Sequence, residues 1–284
     1  KADLKTEGRG MLCYAESRDG VHWTKPDLGL VEFQGNRNNN MLFAGRHGGT
    51  VFKDPVAPPE QRYKMIHGHG PKLPQVYREG PSPDRLIFYG IYGSHSPDGI
   101  HWTTSSEPIM PWYTDTTNVA YWDARIERYV AFCRWNENLG FAVNKTVILN
   151  RGAEHYRAIG RSESREFFRF PPPRKIAEPS PRERRPRATG MDYYNTAAFK
   201  YAGAPDAYFI LSSNFYHDSD TLQAHLGTSR DGIHYERWKT PILGLGPEGR
   251  FDCRRIYMGT GYVERDSEWW FYYGGRDYPH AAHA

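Results

Sequence analysis

Ser17-Arg-Asp-Gly-Val-His-Trp23, Ser96-Pro-Asp-Gly-Ile-His-Trp102 and Ser229-Arg-Asp-Gly-Ile-His-Tyr235 are three copies of one seven-residue phrase, and Ser164-Arg-Glu-Phe-Phe-Arg-Phe170 is a degraded fourth in the widest gap. Their first serines stand roughly 65 to 80 residues apart, longer than a solenoid unit and about the length of a generously looped four-stranded propeller blade. The spacing predicts an all-β chain built as a β-propeller. Because repeat architectures run long as single domains, residues 1–284 are expected to form one domain.

Each copy reads as a strand, a turn and the start of another strand. Apolar runs such as Met11-Leu-Cys-Tyr-Ala15 and Leu86-Ile-Phe-Tyr-Gly90 lead into Asp-Gly, a strong hairpin signal. The Ser and Asp side chains can fold back on backbone N–H groups of the turn, Gly can take positive φ, and the aromatic can wedge between sheets. Ser-x-Asp-Gly invites a catalytic interpretation, but all these roles are structural. His22, His101 and His234 likewise fit a repeated packing element better than three copies of a base.

Aromatic residues make up 15% of the chain, which suits short strands whose rings fill gaps between sheets and line a polar cleft. No apolar window approaches membrane-spanning length, and the first residues carry no signal-peptide pattern, so no membrane partner is expected and any export signal is absent or removed. Net charge is +4, yet residues 169–187 alone hold Arg169, Arg174, Lys175, Arg182, Arg184, Arg185 and Arg187 against Glu178 and Glu183. With the Pro171-Pro-Pro173 run, that stretch reads as a solvated inter-strand loop or arm. No RNA-binding signature accompanies it, so no nucleic-acid partner is expected. Cys13, Cys133 and Cys253 are scattered and read as buried free thiols. His67-Gly-His69 and the pair His280 and His283 lack an acidic or thiol partner at ligand spacing, so neither metal nor cofactor is expected.

A second unit recurs between the turns: a loop, an Asp, an apolar strand, a turn and another apolar strand. Asp115 leads Thr-Thr-Asn-Val-Ala-Tyr-Trp122, Asp192 leads Tyr-Tyr-Asn-Thr-Ala-Ala-Phe199, and Asp252 leads Cys-Arg-Arg-Ile-Tyr257. In the first copy Asn38-Asn39-Asn40 stands where Asp would be. In a propeller the first strand of each blade lines the axis, so Asp115, Asp192 and Asp252 would converge on one funnel, where carboxylates raise one another's pKa and can serve as the acid and base of glycosidic cleavage. Capping of a local loop is an equal alternative for each. Trp112, Tyr113, Tyr193 and Tyr194 flank these positions and can stack on sugar faces, or simply pack. Arg134 and Arg161 border apolar strands, where a lone Arg needs a carboxylate or a ligand. Asn39, Asn40, Arg254 and His280 complete the candidate binding residues.

The phrases Ser17 to Pro26, Leu28-Gly-Leu-Val-Glu-Phe-Gln-Gly35, Phe52-Lys-Asp-Pro55 and the three Asp-led strands resemble the five-bladed β-propeller glycosidases, the superfamily of invertases, levansucrases and arabinanases with glycoside hydrolase families 32 and 43. The likeness spans essentially the whole chain and is nearest to a bacterial branch labelled family-32-like. It implies a five-bladed type of fold acting on an oligosaccharide or glycoside. Phe52-Lys-Asp54-Pro55 resembles the family's Arg-Asp-Pro element, whose Asp stabilises the transition state, although by internal alignment Asp54 matches Asp123 at a strand end. The family's first catalytic Asp has no counterpart, and with no Glu-Cys element Asp115 or Glu163 would serve as general acid. Counting units gives about four blades' worth of sequence, expected to lack the first half of blade one and the last half of the final blade. The alternatives are a non-catalytic sugar-binding propeller and a glycoside phosphorylase in which Arg134, Arg161 and His280 bind phosphate. A sialidase-like fold fits less well, because its Asp-box has one more residue between Asp and Gly than Asp19-Gly20 allows.

Overall fold

The chain is seen in a computed structural model that describes residues 10–44, 46–69, 90–112, 114, 116–136, 139–143, 146–149, 156–184 and 187–280. Strands β1 (Met11–Cys13) and β2 (Met41–Ala44) pair antiparallel. Then β3 (Arg46–Lys53), β4 (Tyr63–His69), β5 (Gly90–Ser96) and β6 (Thr103–Thr104) form an antiparallel sheet in chain order. The next six are β7 (Val119–Asp123), β8 (Arg128–Asn136), β9 (Leu139–Val143), β10 (Thr146–Leu149), β11 (Arg157–Ser164) and β12 (Arg174–Ala177). They give a sheet ordered β7, β8, β11, β12, with β9 and β10 as a separate hairpin. The order repeats in β13 (Met191–Lys200), β14 (Tyr208–Tyr216), β15 (Thr221–Ser229) and β16 (Glu236–Arg237). Last come β17 (Arg255–Met258), β18 (Val263–Arg265), β19 (Glu268–Trp270) and β20 (Tyr273–Arg276). Here β17 pairs with β20, β18 with β19, and the single parallel pair Leu222 and Arg255 links β17 to β15. Among the described residues no helix is long and apolar enough to cross a membrane.

Among the described residues three apolar cores lie between successive sheets. Ile66, Ile91 and Met110 meet Ala120, Tyr129 and Phe167; Val119, Phe132 and Ile159 meet Met191, Tyr193 and Ile210; Ala197, Phe199 and Leu211 meet Ile256 and Met258. Full burial of one such side chain contributes about 1.5–3 kcal/mol, so face-to-face packing of the sheets holds the fold. The leading strands run side by side, β3 against β7 and β7 against β13. At the first of these junctions Thr50 Oγ1 donates to the Asn118 carbonyl at 2.6 Å and the Asn118 N–H donates to Gly48 at 3.0 Å. Gly48 sits at φ +60° in a bulge of β3, and a Cβ there would overlap the Thr116 carbonyl.

The repeated phrase occupies the same place in each sheet, the turn from third to fourth strand, at β5–β6 and β15–β16, with the degraded copy at β11–β12. Its geometry is nearly invariant. The Gly N–H donates to the Ser hydroxyl at 2.8, 2.9 and 2.9 Å, and the Asp Oδ1 accepts the N–H groups two and three residues on. The glycines stand at φ +78°, +82° and +76°. Hydrogen bonds from His22, His101 and His234 first, then from the backbone, hold Asp19, Asp98 and Asp231 well below the ordinary carboxylate value. The first copy also docks on the last strands: Trp23 meets the Tyr272 ring edge-on at 5.6 Å, Tyr272 donates to the Gly20 carbonyl at 3.0 Å, and Arg265 donates to the Asp19 carbonyl.

Two expectations change here. Residues 169–184 do not form a free arm. They supply β12 and a one-turn helix (Pro181–Arg184), because Glu178 draws in Lys175 and Arg184 while Glu183 pairs with Arg237. Cys133 and Cys253 are buried as expected, but Cys13 is exposed, since it lies on a peripheral two-stranded pair.

Candidate active site

The ladder between β13 and β14 slips between Tyr193 and Asn195, leaving Tyr194 as the extra residue of a bulge. Its carbonyl, released from the ladder, accepts Arg134 Nε at 3.0 Å and Nη2 at 2.6 Å from the end of β8. The same guanidinium lies 4.4 Å from the Tyr194 ring centroid. Around that ring stand Arg157 from the start of β11 at 5.1 Å, His280 at 4.9 Å, Tyr257 at 6.0 Å and Phe215 at 6.2 Å.

Asp192, at the start of β13, is 3% exposed and pairs with Arg157 Nη1 at 2.9 Å and His217 Nε2 at 3.1 Å. Burial on its own would raise the carboxyl pKa. The hydrogen bond from His217 and the Arg157 charge outweigh it, so Asp192 is held below the ordinary value and is ionised at neutral pH. It cannot be a proton donor there, but it can stabilise positive charge that develops beside it. His280 is pushed the other way: burial first, then the charges of Arg157, Arg255 and Arg134 against the opposing pull of Asp220, lower its pKa and leave it neutral at pH 7. The arrangement is a buried anion under an arginine and a histidine, walled by aromatic faces.

Asp115, Tyr113 and His283 lie outside the described residues; Thr114 and Thr116, on either side of Asp115, are buried. Asp252 precedes β17, where it accepts the Tyr273 hydroxyl at 2.9 Å while Tyr273 stacks on exposed Phe251. Asp54 is 3% exposed at the far end of β3, accepting Tyr129 Oη at 2.8 Å and the Val56 N–H at 3.1 Å. Its aligned counterpart Asp123 accepts Tyr208 Oη at 2.8 Å and pairs with Lys200. Both carboxylates therefore tie one sheet to the next at the opposite end of the leading strands from Asp192. Glu163 pairs with Arg161, six and four residues beyond Arg157 along β11, which separates both from the Asp192 cluster.

Trp112 is 2% exposed, donates to the Arg134 carbonyl at 2.9 Å and packs 4.9 Å from Trp135, so it has no face to offer a sugar. Tyr193 is likewise buried, in the second of the three cores. Asn39 donates to the Val31 carbonyl and accepts from the Met41 N–H, and Asn40 donates to the Tyr14 carbonyl, which makes them loop caps. Arg254 pairs with Glu248 at 3.1 Å. His67 is buried with Nε2 2.9 Å from Ser94 Oγ. Among the described residues no group of three or more His, Cys, Asp or Glu is placed to hold a metal ion. The far ends of the leading strands border a separate open cleft of about 750 Å3, lined by Thr50, Tyr121, Trp122, Tyr201 and Tyr262 with the Lys200 that Asp123 holds.

Arg157, Phe215, His217 and Arg255 were not singled out in the sequence. Arg157 carried the same signal as Arg134, an arginine bordering an apolar strand; the two arginines lie on adjacent antiparallel strands.

No protein-family model matches this chain, and no curated protein does. Solved structures do. One described as a glycoside hydrolase superposes with a TM-score of 0.57 at 14% identity, covering 91% of this chain and 72% of its own. A glycosyl hydrolase from Bacteroides ovatus gives 0.56 at 13%, covering 95% and 73%. A third, described under the GH130 family of mannoside phosphorylases containing glycoside hydrolases that target β-1,2 mannosidic linkages in Candida mannan, gives 0.53 at 13%, covering 95% and 73%. At these identities the likeness is one of fold: the chain shares an all-β fold with these structures.

Proposed function

We propose that this chain is a carbohydrate-active propeller that hydrolyses a glycosidic bond where its leading strands begin. The observation that carries this is Asp192, a buried carboxylate kept ionised by His217 and Arg157 beside the Tyr194 ring. In the proposed reaction the sugar stacks on aromatic faces of the site, Asp192 stabilises the oxocarbenium-like charge, and Asp115 protonates the leaving oxygen; water then adds to the anomeric carbon and gives its proton to the Asp115 carboxylate. The likeness in fold to glycoside hydrolases supports the substrate class. The five-bladed arrangement and kinship with families 32 and 43 belong to the same proposal.

The test is a screen of aryl glycosides and oligosaccharides followed by D192N and D115N. We expect D192N to lower kcat/KM by about 100-fold or more on every substrate, and D115N to spare substrates with acidic leaving groups. Unchanged turnover in both variants would refute the assignment. The cations Arg134 and Arg157 beside His280 favour one second reading, phosphorolysis, which requires turnover to depend on inorganic phosphate. Sugar binding by calorimetry without turnover would instead mark a binding propeller.

A further inference from the structure

Arg255, the first residue of β17, is 8% exposed and forms no ion pair among the described residues. Its guanidinium lies 4.2 Å from the Tyr278 ring centroid, which sets its plane, and Nη1 donates to Tyr257 Oη at 3.4 Å. Its Nε is buried without a hydrogen-bond partner. The edge formed by Nε and Nη2 is the one a planar carboxylate engages with two parallel hydrogen bonds, and among the described residues no hydrogen bond engages it, since Tyr257 takes only Nη1. A buried cation without an anion is costly, so the position demands a counter-ion. Two nearby arginines do hold an anion: Arg157 holds Asp192 and Arg254 holds Glu248.

The corner belongs to the site described above, since Tyr257 touches the Tyr194 ring and the Arg255 charge acts on His280. We infer that Arg255 recognises the carboxylate of an acidic sugar, so that the substrate of this site is a uronic-acid glycoside. The inference rests on the glycoside reading and deepens it. A planar monoanion fits one guanidinium edge flanked by the phenol of Tyr257, whereas the tetrahedral dianion of phosphate calls for donors from several directions.

The test is calorimetric binding at pH 7 and low salt, with galacturonate- and glucuronate-terminated disaccharides, their neutral galactose and glucose counterparts, and inorganic phosphate as probes. We expect the acidic sugars to bind about tenfold or more tighter than the neutral ones. Arg255→Met should remove that preference by lowering affinity for the acidic sugars about tenfold or more, and Arg255→Lys, which keeps the charge but not the fork, should fall between. Should R255M prove unfolded by its melting curve, R255K decides alone. Equal affinity for acidic and neutral sugars, or a preference that survives in the folded variants, overturns the inference and leaves the glycoside reading standing. Phosphate that binds and displaces the uronate identifies the anion as phosphate and overturns it too. Absence of binding by every sugar overturns both.

Discussion

Replacing Asp54 separates a strut between sheets from a catalytic carboxylate. Asp54 is 3% exposed and Tyr129, whose hydroxyl it accepts at 2.8 Å, is 8% exposed. Burial first, and then Asp54, push the Tyr129 phenol well above its ordinary pKa, so it stays a donor throughout the working range. A hydrogen bond to a charged acceptor contributes about 1.5–3 kcal/mol, and the bond from the Val56 N–H adds about 1. D54A should therefore lower unfolding free energy by about 3 kcal/mol and Y129F by about 2. Because both remove one shared interaction, the double variant should cost no more than D54A alone by more than a few tenths, which is a coupling of about 2 kcal/mol. Equilibrium urea unfolding of the four proteins measures this. A coupling below about 0.5 kcal/mol, or a D54N protein that keeps its unfolding midpoint but loses turnover, would refute the strut and restore Asp54 as a catalytic group.

Asp192, with a folded pKa below the ordinary 3.8, contributes stability that is present above that value and lost as pH falls through the depressed one. Acid unfolding below about pH 4 should thus be steeper in the parent than in D192N, as followed by tryptophan fluorescence. Gly48→Ala places a Cβ against the Thr116 carbonyl at a left-handed φ and should cost about 3 kcal/mol, whereas Gly99→Ala, at a similar φ in open space, should cost about 1–2; thermal unfolding compares them. Burial raises the Cys133 thiol far above its ordinary pKa, so a thiol reagent at neutral pH should label exposed Cys13 in the native protein and leave Cys133 unmodified until denaturant is added.

The parts of the molecule legible in the sequence are those whose bonds are short-range. In the Ser-x-Asp-Gly turn the bonds made by the Ser, Asp and His side chains all lie within three residues, so Ser96, Asp98, Gly99 and His101 announce their own geometry. The periodicity of the turn then gave the sheets and their leading strands. Asp54 resisted the same treatment because its partner is 75 residues away, and the pattern Phe-Lys-Asp-Pro is compatible with either role. The site was half legible. Asp192, Tyr194, Arg134 and His280 stand out by type and position, but Phe215 and His217 belong to a second strand whose relevance appears only when β14 is laid against β13. The direction of Trp112 is not legible in the sequence, because an aromatic next to a loop gives no sign of which way it turns, and here a partner at Trp135 draws it inward.

The docking of the first turn onto the last strands also bears on how the chain folds. Tyr272 and Gly20 are 252 residues apart and Arg265 and Asp19 are 246 apart, far beyond the local contacts that make a protein fold fast. During synthesis the three inner cores can assemble one after another as each sheet is completed, but the seam between first turn and last hairpin waits for residues 265–272 to emerge. Until then the turn at Ser17–Trp23 lacks the surface it rests on, and the aromatic side chain of Trp23, still 49% exposed in the finished fold, has no ring to meet. The seam should therefore form late and open early, so that hydrogen exchange and proteolysis begin there while the inter-sheet cores remain protected.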